Sequence, residues 1–317
     1  MKKNAKKKQS RRKKTSLFLM TVALIAGLVF LIAQPPVYSL DFERLSDEDI
    51  AMRKQVIEKL EPLIRKRDGE KNLSRLTFEE LYEPLNKEER EFMEKFRNIP
   101  AKEVGVRIPW RGIATGKEAL VMIRGQKVKE KVRVKTSDGK RKTVIRTRTI
   151  PPQFLPPNVY KQYEKMMAAM EKSIGKRLYV DSGYRSSAYQ LYLFVYFLKN
   201  HNFSVRETVK FVALPGYSEH GSPKYQAIDF INEDGIDGDP NVKEFEALPE
   251  NTWLHAHARE YGFVLSYPKD AGKGITYEPW HWRYDPKAAK KLAKKRSQSA
   301  AASRRASSGA YSELAPS

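Results

Sequence analysis

From residue 46 the chain reads in a helical period. In "LSDEDIAMRKQVIEKLEPLIRKRDGEKN", Ile50, Val56, Ile57, Leu60 and the Leu63/Ile64 pair recur at the spacing that lines one face of a helix. Ser46 stands ready to cap it, and acids fill its first turn. A second helical stretch, "TFEELYEPLNKEEREFMEKFRNIP", is broken near Pro84 and stopped by Pro100. Residues 40–100 are therefore predicted to form a helical stalk or packing layer. The period then changes to two. In "ALVMIRGQKVKEKVRVKTSDGKRKTVIRTRTI", β-branched residues alternate with Lys and Arg around Asp138-Gly139, which predicts a β-hairpin within residues 101–150. "IPPQFLPPNVY" is a proline-rich hinge. Beyond it, "NVYKQYEKMMAAMEKSIG" reads as an amphipathic helix closed by Gly175, and "RLYVDSGYR" as a strand entering a loop. "SSAYQLYLFVYFLKNH" is a helix apolar on nearly every side, hence deeply buried. "TWLHAHAREYGFVLSY" is a helix closing at Gly262, followed by a strand.

Charge changes this picture at the ends. The 317 residues carry a formal +22, of which +16 sits in two tails, residues 1–15 and 287–317. The excess therefore belongs to appendages, and with no nucleic-acid fold signature beside it we expect no nucleic-acid partner. The carboxy-terminal tail, 287–317, is low-complexity and is expected to be disordered. The basic cluster of residues 1–15 precedes "SLFLMTVALIAGLVFLIAQPPVYSL", which holds no charged residue from Ser16 to Leu40. About 20 apolar residues cross a bilayer as a helix. Residues 16–35 are thus expected to be an uncleaved membrane anchor, with a cytoplasmic amino terminus and an extracytoplasmic remainder. The alternative, a cleaved signal peptide, meets a poor cleavage site in "FLIAQPP". Between Lys102 and Ile150 there are fifteen basic residues against four acidic. This hairpin is either a solvated strand pair or a basic finger for an anionic wall polymer or membrane headgroups.

Cysteine is absent, so any metal must be held by His, Asp or Glu. Of five histidines, His220 lies in "PGYSEHGSPKYQAIDF" nine residues before Asp229, and His281 in "TYEPWHWRYDP". Two imidazoles and a carboxylate, with a fourth position open to water, make a catalytic zinc set. Glu278, three residues before His281, is the candidate base for activating that water. On a regular strand positions 278 and 281 would face opposite sides, but Pro279 forbids regular pairing there. The spacing permits the pair without requiring it. His255 and His257 fall on different sides of one helix, and His201 follows a helix end, so no ligand role is expected of them. "NEDGIDGDP" lacks the closing glutamate of a calcium loop and reads as a surface turn.

"SGYRSSAYQ", "PGYSEH…AIDF", "YGFVLSYP" and "YEPWHWRY", in this order within residues 155–286 of a predicted domain 151–286, resemble the zinc D-alanyl-D-alanine carboxypeptidases of the vancomycin-resistance (VanY-like) type. These share a superfamily with lysostaphin-type and other D-Ala-D-Ala metallopeptidases. The resemblance implies zinc ligands at His220, Asp229 and His281, with Glu278 as catalytic base. It further implies that Arg185 and Gln190 hold the substrate's terminal carboxylate, with Arg185 also polarising the scissile carbonyl. Ser218 would touch substrate, and Trp280 would line the pocket. The implied fold is α+β, a small, mostly antiparallel sheet with packed helices, here preceded by the transmembrane helix and the helical and hairpin accessory region. The implied substrate is the peptidoglycan stem peptide, cut by D,D-carboxypeptidase action. L,D-carboxypeptidase or endopeptidase action, and a non-catalytic wall-binding role, remain the alternatives. The chain departs from the family's usual spacing of seven between the first histidine and the aspartate, and Tyr225 stands where a glycine is usual. The two extra residues around Pro223 either bulge out, leaving Ala227-Ile228-Asp229 in register, or reshape the pocket rim and with it the substrate preference.

Overall fold

The structure is a computed structural model that describes residues 40–298, apart from 138, 223, 239–240, 271–275, 289, 293 and 295–296. The expected anchor at 16–35, the basic tail at 1–15 and the end of the carboxy-terminal tail lie outside the described residues. Among the described residues no helix is long and apolar enough to cross a membrane.

The first helix, α1 (Asp47–Gly69), starts where Ser46 accepts a hydrogen bond from the Asp49 amide, and Lys66 and Arg67 complement its last turn. Helices α2 (Phe78–Tyr82) and α3 (Lys87–Arg97) each open on a reciprocal capping box, Thr77 with Glu80 and Asn86 with Glu89. The break between them falls around Pro84, as the sequence indicates. Two small antiparallel pairs follow. Strand β1 (Val121–Ile123) pairs with β4 (Gln153–Leu155), and between them β2 (Lys127–Lys135) pairs with β3 (Arg141–Thr149). Helix α4 (Pro157–Ile174) ends at Gly175, whose φ of 68° is the left-handed stop that favours glycine. It is followed by β5 (Tyr179–Ser182), α5 (Ser187–Phe197), the single turn α6 (Val205–Thr208) and β6 (Ala227–Ile231). Helices α7 (Val242–Glu246) and α8 (Pro249–His257) and strands β7 (Phe263–Leu265) and β8 (His281–Tyr284) complete the order.

The four-stranded antiparallel sheet runs β5-β6-β8-β7. Alternation along β6 sends Ile228 and Phe230 into the main core, where they meet Tyr163, Met166 and Met170 of α4 and Trp253 and Leu254 of α8. Asp229, between them, takes the other face. The accessory helices form a layer on α5, which explains why that helix is apolar all round. Phe96 of α3 lies 6.3 Å from Phe194, and Arg53 of α1 donates to the carbonyls of Val195 and Tyr196.

Candidate metal centre

The loop from Leu214 to Ser222 carries the first histidine on a single 3-10 turn, Glu219–Gly221. The hydroxyl of Ser218 accepts from the His220 amide and so caps that turn. Past it the Tyr225 amide bonds the Ser222 carbonyl, and Pro223, around which the two extra residues were placed, lies outside the described residues. Strand β6 then begins at Ala227, and Asp229 stands directly opposite His281 in the β6–β8 register. Chain reversal at Glu278-Pro279-Trp280-His281, with the His281 amide bonded to the Glu278 carbonyl, comes just before β8 starts. The side chains at 278 and 281 thereby escape strand alternation and lie 3.8 Å apart, Oε2 to Nδ1.

His220, Asp229 and His281 converge. Their ligand atoms all lie within 4.8 Å of one another. Asp229 Oδ2 is 3.1 Å from His220 Nε2, and its Oδ1 is 2.8 Å from His281 Nδ1. Ligands about 2.0–2.1 Å from a tetrahedral zinc stand about 3.3 Å from one another, so the trio fits that ion closely. The outward ring nitrogens support the same arrangement. His220 Nδ1 lies 2.7 Å from the Gly183 carbonyl, which must accept, leaving the Nε2 lone pair inward. His281 Nε2 lies 3.1 Å from Glu219 Oε2, which leaves Nδ1 inward. Acceptors behind metal-binding imidazoles fix ring orientation and tautomer. Gly183 also lets two stretches of backbone approach closely, since a Cβ there would come within 2.5 Å of the Phe154 carbonyl.

Electrostatics follow from packing. Burial opposes ionisation of Asp229, yet His220 and His281 hold it well below the usual carboxylate range. Burial likewise opposes charge on His281, but Asp229 and Glu219 push it up to about 10. Burial lowers His220. Glu219, 3% exposed, is held down to about 2 against burial by His281, Ser266 and Arg111.

The other residues singled out from the sequence fall at differing removes. Arg185, at the end of the β5 loop, gives its backbone N–H to the His220 carbonyl, and its Nη1 donates to Gln190 Oε1 at 3.2 Å. Gln190 is itself pinned through its amide to the Ala213 carbonyl. Trp280 packs over Gly238 at the border of the main core, and the ring against His281 is that of Tyr267, 4.9 Å away. His255 and His257 sit beside Trp282 and Trp253, away from the trio, and His201 stacks on Phe211. Four residues escaped the sequence reading. Glu219, Ser266 and Tyr267 surround His281, and Arg111 arrives from the accessory region to bond Glu219 at 2.9 Å. The one signal for Glu219 was its place beside a ligand.

Residues 152–287 match the VanY family profile, D-alanyl-D-alanine carboxypeptidase. A bifunctional D-Ala-D-Ala dipeptidase and D-Ala-D-Ala carboxypeptidase, VanXYC of Enterococcus gallinarum, is 36% identical over 133 residues, covering 41% of this chain and 67% of that protein. The chain belongs to the VanY family. It is accordingly a metallopeptidase of the D-Ala-D-Ala carboxypeptidase kind. Across the curated relatives it matches, the shared stretch spans between 37% and 67% of their own length. Among solved structures, the LdcB LD-carboxypeptidase is 29% identical, with 45% of this chain and 65% of that one covered and a TM-score of 0.37. A VanY D,D-pentapeptidase in complex with Zn(II) is 23% identical, with 51% and 84% covered and a TM-score of 0.34.

Proposed function

We propose that the chain is a membrane-anchored zinc D,D-carboxypeptidase that removes the terminal D-alanine from peptidoglycan stem peptides. What carries this reading is the meeting of His220, Asp229 and His281 beside the Glu278 carboxylate. In it, His220 Nε2, Asp229 and His281 Nδ1 would hold the zinc. Zinc when bound acidifies its water and polarises a carbonyl. Glu278 takes the proton of the attacking water and returns it to the amine of the departing D-alanine. Water thus adds across the peptide C–N bond, and the products are free D-alanine and a stem one residue shorter. Arg185 receives the substrate's terminal carboxylate and faces the developing oxyanion, with Gln190 fixing the guanidinium. Ser218 keeps the first ligand's turn in shape while bordering the substrate, and Trp280 backs the strand that bears His281. The membrane anchor at 16–35 and an extracytoplasmic catalytic region, with the basic amino terminus in the cytoplasm, rest on the sequence alone.

The test incubates the full chain with a muramyl pentapeptide, with and without a chelator, and reads the products by mass spectrometry. Loss of one alanine that stops with chelator and falls by about 10²–10⁴-fold in Glu278→Gln is the expected result. Cleavage of tetrapeptide or cross-linked stems alone would move the activity to L,D-carboxypeptidase or endopeptidase. A zinc-loaded, folded protein that cuts no stem would leave a wall-binding role.

A further inference from the structure

The hairpin β2–β3 lies outside the family-matched stretch, and its two faces differ in a way the sequence count alone does not reveal. Directly opposed residues of an antiparallel pair share a face. One face carries Lys127, Lys129, Lys131, Arg133 and Lys135 on β2, opposite Thr149, Thr147, Ile145, Thr143 and Arg141 on β3. It holds six cations and no acid. The other face sets Val132, Val134 and Val144 beside Arg146, Lys142 and Arg148, with Glu130 3.9 Å from Arg148.

The root of the ribbon is well anchored. Gln126 bonds both backbone groups of Val180, the Lys129 amide bonds the Glu233 carbonyl, and Val128 and Ile150 pack on Ile231. Lys129 is neutralised there by Asp234 at 2.8 Å. Beyond the root, Lys131, Arg133, Lys135 and Arg141 are exposed and make no ion pair among the described residues. Lys135 and Arg141 even stand directly opposite each other, an arrangement that costs folding energy. A two-stranded ribbon is marginal to begin with, so stability does not account for this concentration of like charge.

We infer that this face docks a linear phosphodiester polymer. Strand geometry spaces the β2 cations by about 6.7 Å, a regular row suited to singly charged groups repeating along a chain. Lysine serves phosphate as a point charge without demanding the planar fork that carboxylate favours. The threonine hydroxyls opposite the row add hydrogen-bond donors for phosphate oxygens. Ile145 is the sole apolar side chain on this face, far short of the aromatic and aliphatic set that a lipid surface engages. No aromatic residue lies between 127 and 149, so there is no platform for stacking nucleobases.

The test measures binding and not turnover, so it stands or falls apart from the peptidase reading. The full chain is titrated into a fluorescent glycerol-phosphate oligomer, followed by anisotropy, at several salt concentrations. One variant combines Lys131→Gln, Arg133→Gln, Lys135→Gln and Arg141→Gln, and a control combines Lys142→Gln and Arg146→Gln on the opposite face. Both basic tails stay in every protein. The first variant should bind about tenfold more weakly or worse, with a log affinity–log salt slope shallower by about 3, from about 0.7 for each of four contacts. The control should stay within about threefold of the parent by the same reasoning. Stem-peptide cleavage and melting temperature check that both variants remain folded. Equal losses in the two variants would overturn the proposal. So would binding to phosphatidylglycerol vesicles without binding to the oligomer.

Discussion

In the proposed zinc site Glu219 stands behind His281, so its removal separates the holding of the metal from the chemistry. In Glu219→Gln the shape survives and the charge does not. A hydrogen bond to a charged acceptor contributes about 1.5–3 kcal/mol, against about 1 for a neutral one. The carboxylate accepts from Arg111 at 2.9 Å, from Ser266 at 2.5 Å and from His281 at 3.1 Å. Losing the Arg111 contact weakens the fold with or without metal. The His281 bond differs between the two states, because zinc replaces the proton on the inward nitrogen and the doubly charged ion draws more from the Glu219 carboxylate than that proton does. That difference of about 1–2 kcal/mol converts to zinc binding about 5–30-fold weaker, near the range seen when carboxylates behind ligands are lost. The assay is competition for zinc against a chromophoric chelator at about pH 7.5, without substrate, on protein whose far-UV spectrum matches the parent. A zinc Kd within about twofold of the parent would refute the reasoning and leave Tyr267 and the strand to hold the ring unaided.

Two further outcomes follow from packing and charge. Asp181, which like Arg185 lines a cavity of about 240 Å³, is raised from its ordinary 3.8 to about 6 by burial first, then by Asp237 and Asp229. The folded state then binds more protons than the unfolded one between those values, so stability falls as pH rises from about 4 to 6. Asp181→Asn removes that penalty. Metal-free variant and parent should match near pH 4 and differ by up to about 3 kcal/mol in the variant's favour above pH 6, less where solvent reaches the carboxyl. Urea unfolding at both pH values checks this, and a pH-independent difference would contradict it. Gly216 adopts a φ of 83°, and a Cβ there would fall 2.0 Å from the Trp110 ring. Gly216→Ala should therefore cost about 1–3 kcal/mol in the same measurement, and a loss below about 0.5 would mean that the ring swings aside at little cost.

What could be read from the sequence was local or carried by motif. The caps of α1, the break near Pro84, the stop at Gly175 and the buried character of α5 all follow from residues within a few positions of one another. His220, Asp229 and His281 could be grouped because residue type and resemblance pointed the same way. Glu278 was harder, since its approach to His281 depends on a turn that ends just as β8 begins. Long-range pairing left no trace in the string. Nothing near Arg111 announces that it will meet Glu219, 108 positions later. Trp280 shows the converse: adjacency to a ligand in sequence became packing over Gly238, because the residue lies in the turn that precedes β8 and not on the strand.

Similarity to the family profile begins at residue 152, but the surroundings of Arg185 do not respect that line. The cap and first residue of α5, just beyond Arg185, are tied to the accessory layer through four bonds: Ser186 amide to the Ser74 carbonyl, Ser186 hydroxyl to the Leu76 carbonyl, Ser187 amide to the Ala114 carbonyl, and Ala114 amide to the Ser187 hydroxyl. A fragment cut at the family boundary would strip all four, along with the helices that cover the apolar flank of α5. The catalytic region is thus not a module that can be lifted out and moved to another chain. Its inheritance is shared with a family, while its foundations lie in the residues that come before.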